Sequence, residues 1–307
     1  MTAWLPMRRF ALNLVFYLAA VAAAAQEPGP VVDDEALEQR IEALCRALLE
    51  QGKLVPCSKL VSQLAEARSC ALPRAAERTV ELEPVLLHDH VRRSVRIVGH
   101  YYLCTQCDEW HFSGASGFCV GANGAIATCA HVVAADETMR EAYLVVADLA
   151  GNVWPVESVL AGDVGADVAV VKTAEQDCVP LPMRRSVRVG ARVYCLSHPD
   201  HQFGFFSEGL VARWFTQRDL APERVVTPPD VALPKRLWLH VTCEFAKGSS
   251  GAPIVDTTGT VVGIAQSTTT VVYDEDAEVV DTQMVFKTAV PARALMDLLP
   301  APTGSTK

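Results

Sequence analysis

From residue 85 onward the sequence predicts an all-β fold, and three observations support this assignment. Ten apolar runs of four to six residues are separated by Gly, Asn, Asp and Pro, a pattern typical of short strands in a sandwich or barrel. Residues 120–125, with two glycines and an asparagine, predict a hairpin turn. Helical spacing of apolar residues occurs only before and after this region. The predicted strands are residues 95–98, 117–120, 125–128, 142–147, 168–172, 192–196, 238–242, 253–256, 261–265 and 284–288.

Residues 33–70 predict a helical hairpin, and residues 291–299 predict a closing C-terminal helix. Either Asp33 or Asp34 is expected to cap the first helix, and a glycine and a proline at 52–56 separate it from the second. We interpret the hairpin as a structural cap on the β fold, with a pro-segment or a partner-binding arm as the alternative. The apolar residues at helical spacing are Leu37, Ile41, Leu44 and Leu48 in the first helix and Leu60, Val61 and Leu64 in the second.

The N-terminus has the pattern of a secretory signal peptide. Arg8 and Arg9 precede a mostly apolar stretch at 10–25, whose last three residues are alanines that form an A-x-A cleavage site. Its 16 residues are fewer than the ~20 that span a bilayer, so we favour cleavage before Gln26 over a membrane anchor. We therefore expect an exported protein, periplasmic or secreted, that has no membrane association after cleavage.

Length and composition limit the classes of function. The chain has 307 residues, half of them hydrophobic, which is enough for one large domain or for two halves around a cleft. The formal net charge of −9 and the lack of a long Lys/Arg run give no support for nucleic-acid binding. We expect no cofactor.

Ten cysteines follow the predicted cleavage site. An even number of cysteines in an exported chain favours disulfides, although the sequence leaves their pairing open. Cys104, Cys107 and His111 also have the chemistry of metal ligands. Because no second Cys-x-x-Cys follows, this set is at most half of a zinc site, and we favour disulfides over a metal.

Cys104 and Cys107 need not bond each other, since either could reach Cys119 or Cys129. A bond between Cys119 and Cys129 themselves is disfavoured. A turn at 121–124 pairs position 119 with position 126, which places the two cysteines on opposite faces.

Residues 248–253 form a Gly-x-Ser-Gly-x-Pro run that suits a nucleophilic serine. A serine hydroxyl is a weak nucleophile and needs a base to take its proton and a carboxylate to orient that base. His131 and Asp167 precede Ser250 in that order, at spacings of 36 and 83 residues. The competing side chains are Asp163 for the acid, His198 and His201 for the base, and Ser249 for the nucleophile.

Five segments in unbroken order resemble the trypsin-like serine proteases of the bacterial HtrA-like branch. They correspond to the strand that opens the catalytic core, the strands of the histidine and the aspartate, the first strand of the second barrel, and the last strand. In this chain they are residues 113–118, 124–131, 167–172, 189–199 and 285–291, and the resemblance covers roughly residues 90–299.

This resemblance implies a chymotrypsin-like fold of two antiparallel six-stranded β-barrels, with His131 and Asp167 in the first barrel and Ser250 in the second. It also implies no PDZ domain in this chain, since residues 292–307 leave no room for one. The domain boundaries that follow are a signal peptide at 1–25, a helical segment at 26–84, a first barrel at 85–180, a second barrel with the C-terminal helix at 181–299 and a tail at 300–307.

The resemblance further implies a serine endopeptidase that acts on protein or peptide substrates. The backbone N–H groups of Gly248 and Ser250 would form the oxyanion hole. At the substrate pocket, Glu244 would select basic residues, or Phe245 would fill the pocket and favour small aliphatic residues. A third alternative is that Glu244 is a solvated surface residue with no part in selection. Ser249 stands where digestive relatives have an aspartate, so activation by a new N-terminal amine is not expected.

Two alternatives come from other functional classes. The first is an inactive protease fold used as a binding module, and the second is a metal or redox module centred on Cys104 and Cys107. The complete His-Asp-Ser set argues against the first, and the lack of a thioredoxin-like βαβ pattern argues against the second.

Overall fold

The computed structural model describes residues 31–67, 69–218, 235–272 and 282–300. The predicted signal peptide lies outside the described residues, as does the predicted tail beyond residue 300. Within the described part, no helix is long and apolar enough to cross a membrane.

Twelve strands in the described residues form two closed, antiparallel, six-stranded barrels. The first barrel has the order β1-β2-β3-β6-β5-β4 and the second β10-β11-β12-β9-β8-β7. The all-β, two-barrel fold predicted from the sequence is confirmed. The strands are β1 Val95–Cys104, β2 Trp110–Gly121, β3 Ala125–Thr128, β4 Met139–Ala147, β5 Val153–Asp163, β6 Val168–Thr173, β7 Arg192–Ser197, β8 Phe205–Arg218, β9 Lys235–Val241, β10 Pro253–Asp256, β11 Val261–Val272 and β12 Thr282–Pro291.

The helices lie before and after the barrels. They are α1 Asp34–Glu50, α2 Cys57–Glu66, α3 Pro84–Arg92 and α4 Ala292–Leu298. Asp33 is the cap of α1, since its carboxylate accepts the Ala36 N–H at 3.0 Å. The sequence did not predict α3, which begins with a proline in its first turn and buries Leu87 and Val91.

Helix α2 packs on the first barrel through Leu60 and Leu64, which are buried in the same hydrophobic cluster as the barrel interior. Leu64 contacts β5 at Gly162, where an added Cβ would lie 2.2 Å from the Leu64 Cδ1. Any larger residue at 162 would therefore require the Leu64 side chain to shift. The side chain of Val61 on the same helix is partly exposed, and it lines a cavity on the surface of the protein.

One disulfide is present among the described cysteines, and it joins Cys119 on β2 to Cys178 beyond β6. The other eight cysteines are free, including Cys104 and Cys107, so neither thiol of this pair bonds Cys119 or Cys129. The physical reason is that the chain after β6 returns beside β2, where the Leu181 N–H donates to the Cys119 carbonyl at 3.0 Å. Cys119 pairs with Ile126 across the hairpin, as the turn predicted, and Cys129 is a buried thiol.

Candidate active site

His131 and Asp167 meet because the two strands beside them pair. His131 lies in a short 3-10 turn, Ala130–Val133, directly after β3, and Asp167 directly precedes β6. Strands β3 and β6 are antiparallel, with Thr128 opposite Ala169. This register brings the start of one strand beside the end of the other.

The Asp167 carboxylate holds both the ring and the backbone of His131. Its Oδ2 lies 2.7 Å from His131 Nδ1, and its Oδ1 accepts the His131 backbone N–H at 2.9 Å. The carboxylate is almost fully buried, whereas 41% of the imidazole side chain is exposed. A buried carboxylate that accepts Nδ1–H leaves Nε2 as the acceptor on the exposed side of the ring.

A third donor reaches the same carboxylate from the second barrel. Gln266 on β11 donates from its side-chain Nε2 to Asp167 Oδ2 at 3.0 Å, and its backbone carbonyl oxygen accepts the Ser250 hydroxyl at 3.3 Å. Gln266 therefore links the carboxylate to the serine across the two barrels. Gln266 could not be identified from the sequence, because its role depends on how two distant strands meet.

Ser250 lies in the loop between β9 and β10, and two glycines shape this loop. Gly248 and Gly251 both have φ +91°, in the left-handed region that favours glycine. An added Cβ at Gly248 would lie 2.5 Å from the His198 carbonyl oxygen. At Gly251 it would lie 2.2 Å from the Ser116 carbonyl oxygen. The close approach to neighbouring backbone excludes any side chain at either position.

Ser116 on β2 anchors this loop to the first barrel. Its N–H donates to the Ser250 carbonyl at 3.0 Å, and its hydroxyl donates to the Gly248 carbonyl at 2.9 Å. The same hydroxyl accepts the His198 N–H at 3.1 Å. Ser116 lies in one of the family-like segments, but its role is not visible in the sequence because these contacts join residues more than 80 positions apart.

Two amides of the loop point to no internal acceptor. Among the described residues, neither the Gly248 N–H nor the Ser250 N–H has a hydrogen-bond partner. The Lys247 carbonyl accepts the Asp200 N–H at 2.8 Å, which fixes the peptide unit that carries the Gly248 N–H. Both residues are partly exposed.

A comparison with known families finds one similar domain. Residues 115–264 match the family model described as a trypsin-like peptidase domain, and this stretch contains His131, Asp167 and Ser250. This part of the chain is similar in sequence to trypsin-like peptidases.

Solved structures agree with this assignment at the level of the fold. In total, 410 solved chains match this structure. One is described as HtrA-type protease AlgW with tripeptide, with a TM-score of 0.50 and 16% sequence identity over 70% of this chain. The match spans 62% of that protease, less than two thirds of its length. No curated protein sequence matches the chain.

The competing acid and nucleophile of the peptidase domain are engaged elsewhere. Asp163 accepts a hydrogen bond from Arg236 Nη1 at 2.7 Å. Ser249 is fully buried, and its hydroxyl donates to Ser197 Oγ at 3.0 Å and accepts the Ala246 N–H at 3.2 Å. Neither side chain lines the cavity beside His131.

The competing histidines also lie outside this cavity. His198 is buried, and burial lowers its pKa to about 3, so its ring is neutral. Its Nδ1 accepts the Gly204 N–H at 3.0 Å. His201 lies 3.1 Å from Glu38 of α1. Both rings are therefore engaged by groups other than the Ser250 hydroxyl.

A cavity of 490 Å³ opens beside His131 and Ser250. The turn that carries His131, the middle of β2 and helix α2 form its walls, and most of its surface is apolar. Val61 and Leu64 contribute the α2 wall. The residues predicted to belong to a cap thus border the candidate active site.

The two residues assigned to a substrate pocket from the sequence do not line this cavity. The Glu244 carboxylate lies 2.9 Å from Lys287 Nζ, and Phe245 is buried in the core of the second barrel. Lys287 also donates to the Phe245 carbonyl. The assignment of Glu244 and Phe245 to substrate selection stays a prediction, and the ammonium group beside Glu244 lowers the attraction of that carboxylate for a basic side chain.

Proposed function

We propose that this protein is an exported serine endopeptidase that cleaves protein substrates through an acyl-enzyme. The contact of 2.7 Å between His131 Nδ1 and Asp167 Oδ2 carries this proposal, together with the cavity that His131 and Ser250 share. A histidine oriented by a buried carboxylate beside a serine is the arrangement that acyl transfer requires.

In the first half of the reaction, Ser250 Oγ attacks the carbonyl carbon of the substrate and its proton passes to His131 Nε2. The hydroxyl first turns away from the Gln266 carbonyl that holds it at 3.3 Å. The Gly248 and Ser250 amides bind the resulting oxyanion, at about 3 kcal/mol per donor. The amine then leaves with the proton from His131, and an ester remains on Ser250.

In the second half, water attacks the ester while His131 Nε2 accepts its proton. The oxyanion forms again at the same two amides, and its collapse returns the proton to Ser250 and releases the acid. Asp167 keeps Nδ1 protonated and stabilises the imidazolium in both halves without taking the proton.

Export of this peptidase is supported by two independent features. The N-terminal pattern is that of a cleaved signal, and the Cys119–Cys178 disulfide is of a kind that persists in oxidising compartments. Activation by a cut is not needed, because the Ser249 hydroxyl closes the loop through Ser197 and Ala246 without an N-terminal amine.

The first test is covalent labelling of the purified protein with a fluorophosphonate probe, which reacts with activated serines. We expect label on the wild type and none on Ser250→Ala, with the adduct on Ser250 by peptide mass spectrometry. Ser249→Ala is the matched control, since its hydroxyl is buried, and it should keep the label. An unlabelled wild type would favour the inactive binding module, and equal labelling of Ser250→Ala would reject Ser250 as the nucleophile.

The lining of the cavity predicts which substrate side chains the peptidase prefers. Because His131 protonates the leaving amine, the turn that carries it flanks the substrate segment after the cut bond. Walls from this turn and from α2 therefore form a subsite for the first residues of the leaving segment, and their apolar surface suits aliphatic side chains.

Val61→Asp should reduce the preference for an aliphatic residue just after the cut bond. The new carboxylate would face the apolar subsite, and one changed group in such a pocket is worth about 10- to 200-fold in kcat/KM. The measurement is kcat/KM for paired peptides with Leu or Ser in the first leaving position. Val85→Asp, on the exposed side of α3, is the matched control. An unchanged Leu-to-Ser ratio in Val61→Asp would contradict this subsite.

A further inference from the structure

The tip of the β1–β2 hairpin carries a cluster of metal-binding side chains outside the active site. Cys104 ends β1, Cys107 lies in the turn, and His111 is the second residue of β2. Cys107 Sγ lies 3.0 Å from His111 Nε2, and the ligand atoms of all three residues lie within 4.8 Å of one another. Both cysteines are free thiols, and Cys107 is exposed.

The backbone of this turn is arranged around the sulfur atoms. The Gln106 N–H donates to Cys104 Sγ at 3.4 Å, and such a donor stabilises a thiolate ligand. Asp108, directly after the second cysteine, has φ 57° in the left-handed region, which reverses the chain toward β2. Its carboxylate is 2.7 Å from Arg140, which holds the turn against β4.

The histidine is also held in place. The His111 ring packs against Tyr102, with ring centroids 5.8 Å apart, and the two residues face each other across the β1–β2 ladder. A disulfide between Cys104 and Cys107 would engage both sulfur atoms but would not involve His111, whose Nε2 lies 3.0 Å from Cys107 Sγ. A shared cation uses all three side chains.

The distances fit a tetrahedral ion after small movements. With Zn–S near 2.3 Å and Zn–N near 2.0 Å, tetrahedral angles place a sulfur and a nitrogen ligand about 3.5 Å apart and two sulfurs about 3.8 Å apart. The Cys107–His111 contact is about half an ångström shorter than this distance. Side-chain rotation at an exposed turn covers that difference.

Other sets of this kind in the described residues are already engaged. Cys129, His131 and Asp167 belong to the candidate active site, and Cys119 and Cys178, the neighbours of Glu175, form the disulfide. The hairpin cluster is the set with two thiols and an imidazole that nothing else occupies.

We propose that Cys104, Cys107 and His111 bind one Zn²⁺ ion at the tip of the β1–β2 hairpin. Two thiolates and an imidazole bind Zn²⁺ in preference to harder cations. The fourth position is open to water or to a ligand from outside the hairpin. The ion fixes the start of β2, two residues before Ser113 reaches the cavity. It is separate from the peptidase chemistry, which needs no metal.

The test is a titration of the reduced, metal-free protein with Co²⁺ alone, followed by Zn²⁺. We expect one Co²⁺ per chain, with thiolate-to-cobalt charge transfer and the visible absorption of tetrahedral cobalt, and displacement of cobalt by one equivalent of Zn²⁺. Cys104→Ser and Cys107→Ser should each weaken binding by about 100-fold or more, since each removes a direct ligand. His111→Gln should bind more weakly while keeping some charge transfer.

Cys70→Ser is the matched control, because Cys70 is a partly exposed free thiol away from the hairpin, and its metal binding should equal that of the wild type. Far-UV circular dichroism establishes that each variant is folded. Three results would overturn the proposal: no stoichiometric binding by the reduced protein, equal binding by the double Cys104→Ser/Cys107→Ser variant, or metal-free protein purified without reductant or chelator with a Cys104–Cys107 disulfide in its peptide map. None of these measurements depends on peptidase activity.

Discussion

Substitution of His131 by Ala should lower kcat for peptide hydrolysis by about 10⁶-fold, close to the loss expected for the nucleophile itself. The imidazole is the group on the cavity wall that is oriented to take the Ser250 proton, since Asp167 holds its Nδ1 at 2.7 Å. Without this base, the hydroxyl attacks at the low rate of an ordinary alcohol. Residual turnover would come from the oxyanion amides and substrate binding.

The measurement is kcat on a peptide with a fluorogenic leaving group, with variants purified from a host that lacks the wild-type gene. His201→Ala is the matched control, because His201 is a partly exposed histidine paired with Glu38, and its kcat should stay within a few-fold of wild type. A loss of less than tenfold in His131→Ala would show that another group serves as the base.

The strands that could be predicted from the sequence are those whose apolar residues run without interruption. Strands β3 and β10 begin and end at the predicted residues. Strand β5 was missed because Pro155, Glu157 and Gly162 read as turn residues. Its register shifts twice against β6, and these irregularities accommodate such residues within a strand. Strand β8 was missed for a related reason, since it mixes charged and apolar residues along its length.

The N-terminal helices show a second limit of periodicity. The predicted apolar stripe of α1 included Leu44, yet Leu44 is exposed and Cys45 is buried in its place. Spacing alone does not decide between neighbouring faces of a helix, because the choice depends on the surface that the helix covers. The packing of α2 over β5, and its place in the cavity wall, likewise depend on a contact between Leu64 and Gly162, nearly 100 positions apart.

In the candidate active site, the sequence identified the side chains with reactive groups but missed those that position them. His131, Asp167 and Ser250 have recognisable local motifs. Ser116 and Gln266 have none, since each acts through hydrogen bonds between the two barrels. Such residues become visible only when the partner strand is known.

The second large effect on kcat is expected from the loss of the Asp167 carboxylate. Asp167→Asn should lower kcat by about 10⁴-fold while the fold stays intact. The Asp167 carboxylate accepts three hydrogen bonds, two from His131 and one from Gln266. An asparagine offers one oxygen atom and one NH₂ group. If the asparagine oxygen still accepts the hydrogen bond from the His131 backbone N–H, the asparagine NH₂ group faces His131 Nδ1.

That arrangement makes Nδ1 an acceptor and moves the ring proton to Nε2, which is the atom that must accept the Ser250 proton. The substitution thus disables the base through its tautomer while leaving the imidazole in place.

Nitrogen-15 NMR of His131 should show the proton on Nδ1 in the wild type and on Nε2 in Asp167→Asn. Asp163→Asn is the matched control, because Asp163 pairs with Arg236 and does not contact His131, so its kcat should be near that of wild type. If Asp167→Asn keeps kcat within tenfold with the wild-type tautomer, the carboxylate does not orient the base. If kcat falls with an unchanged tautomer, the loss comes instead from the missing negative charge beside the imidazolium.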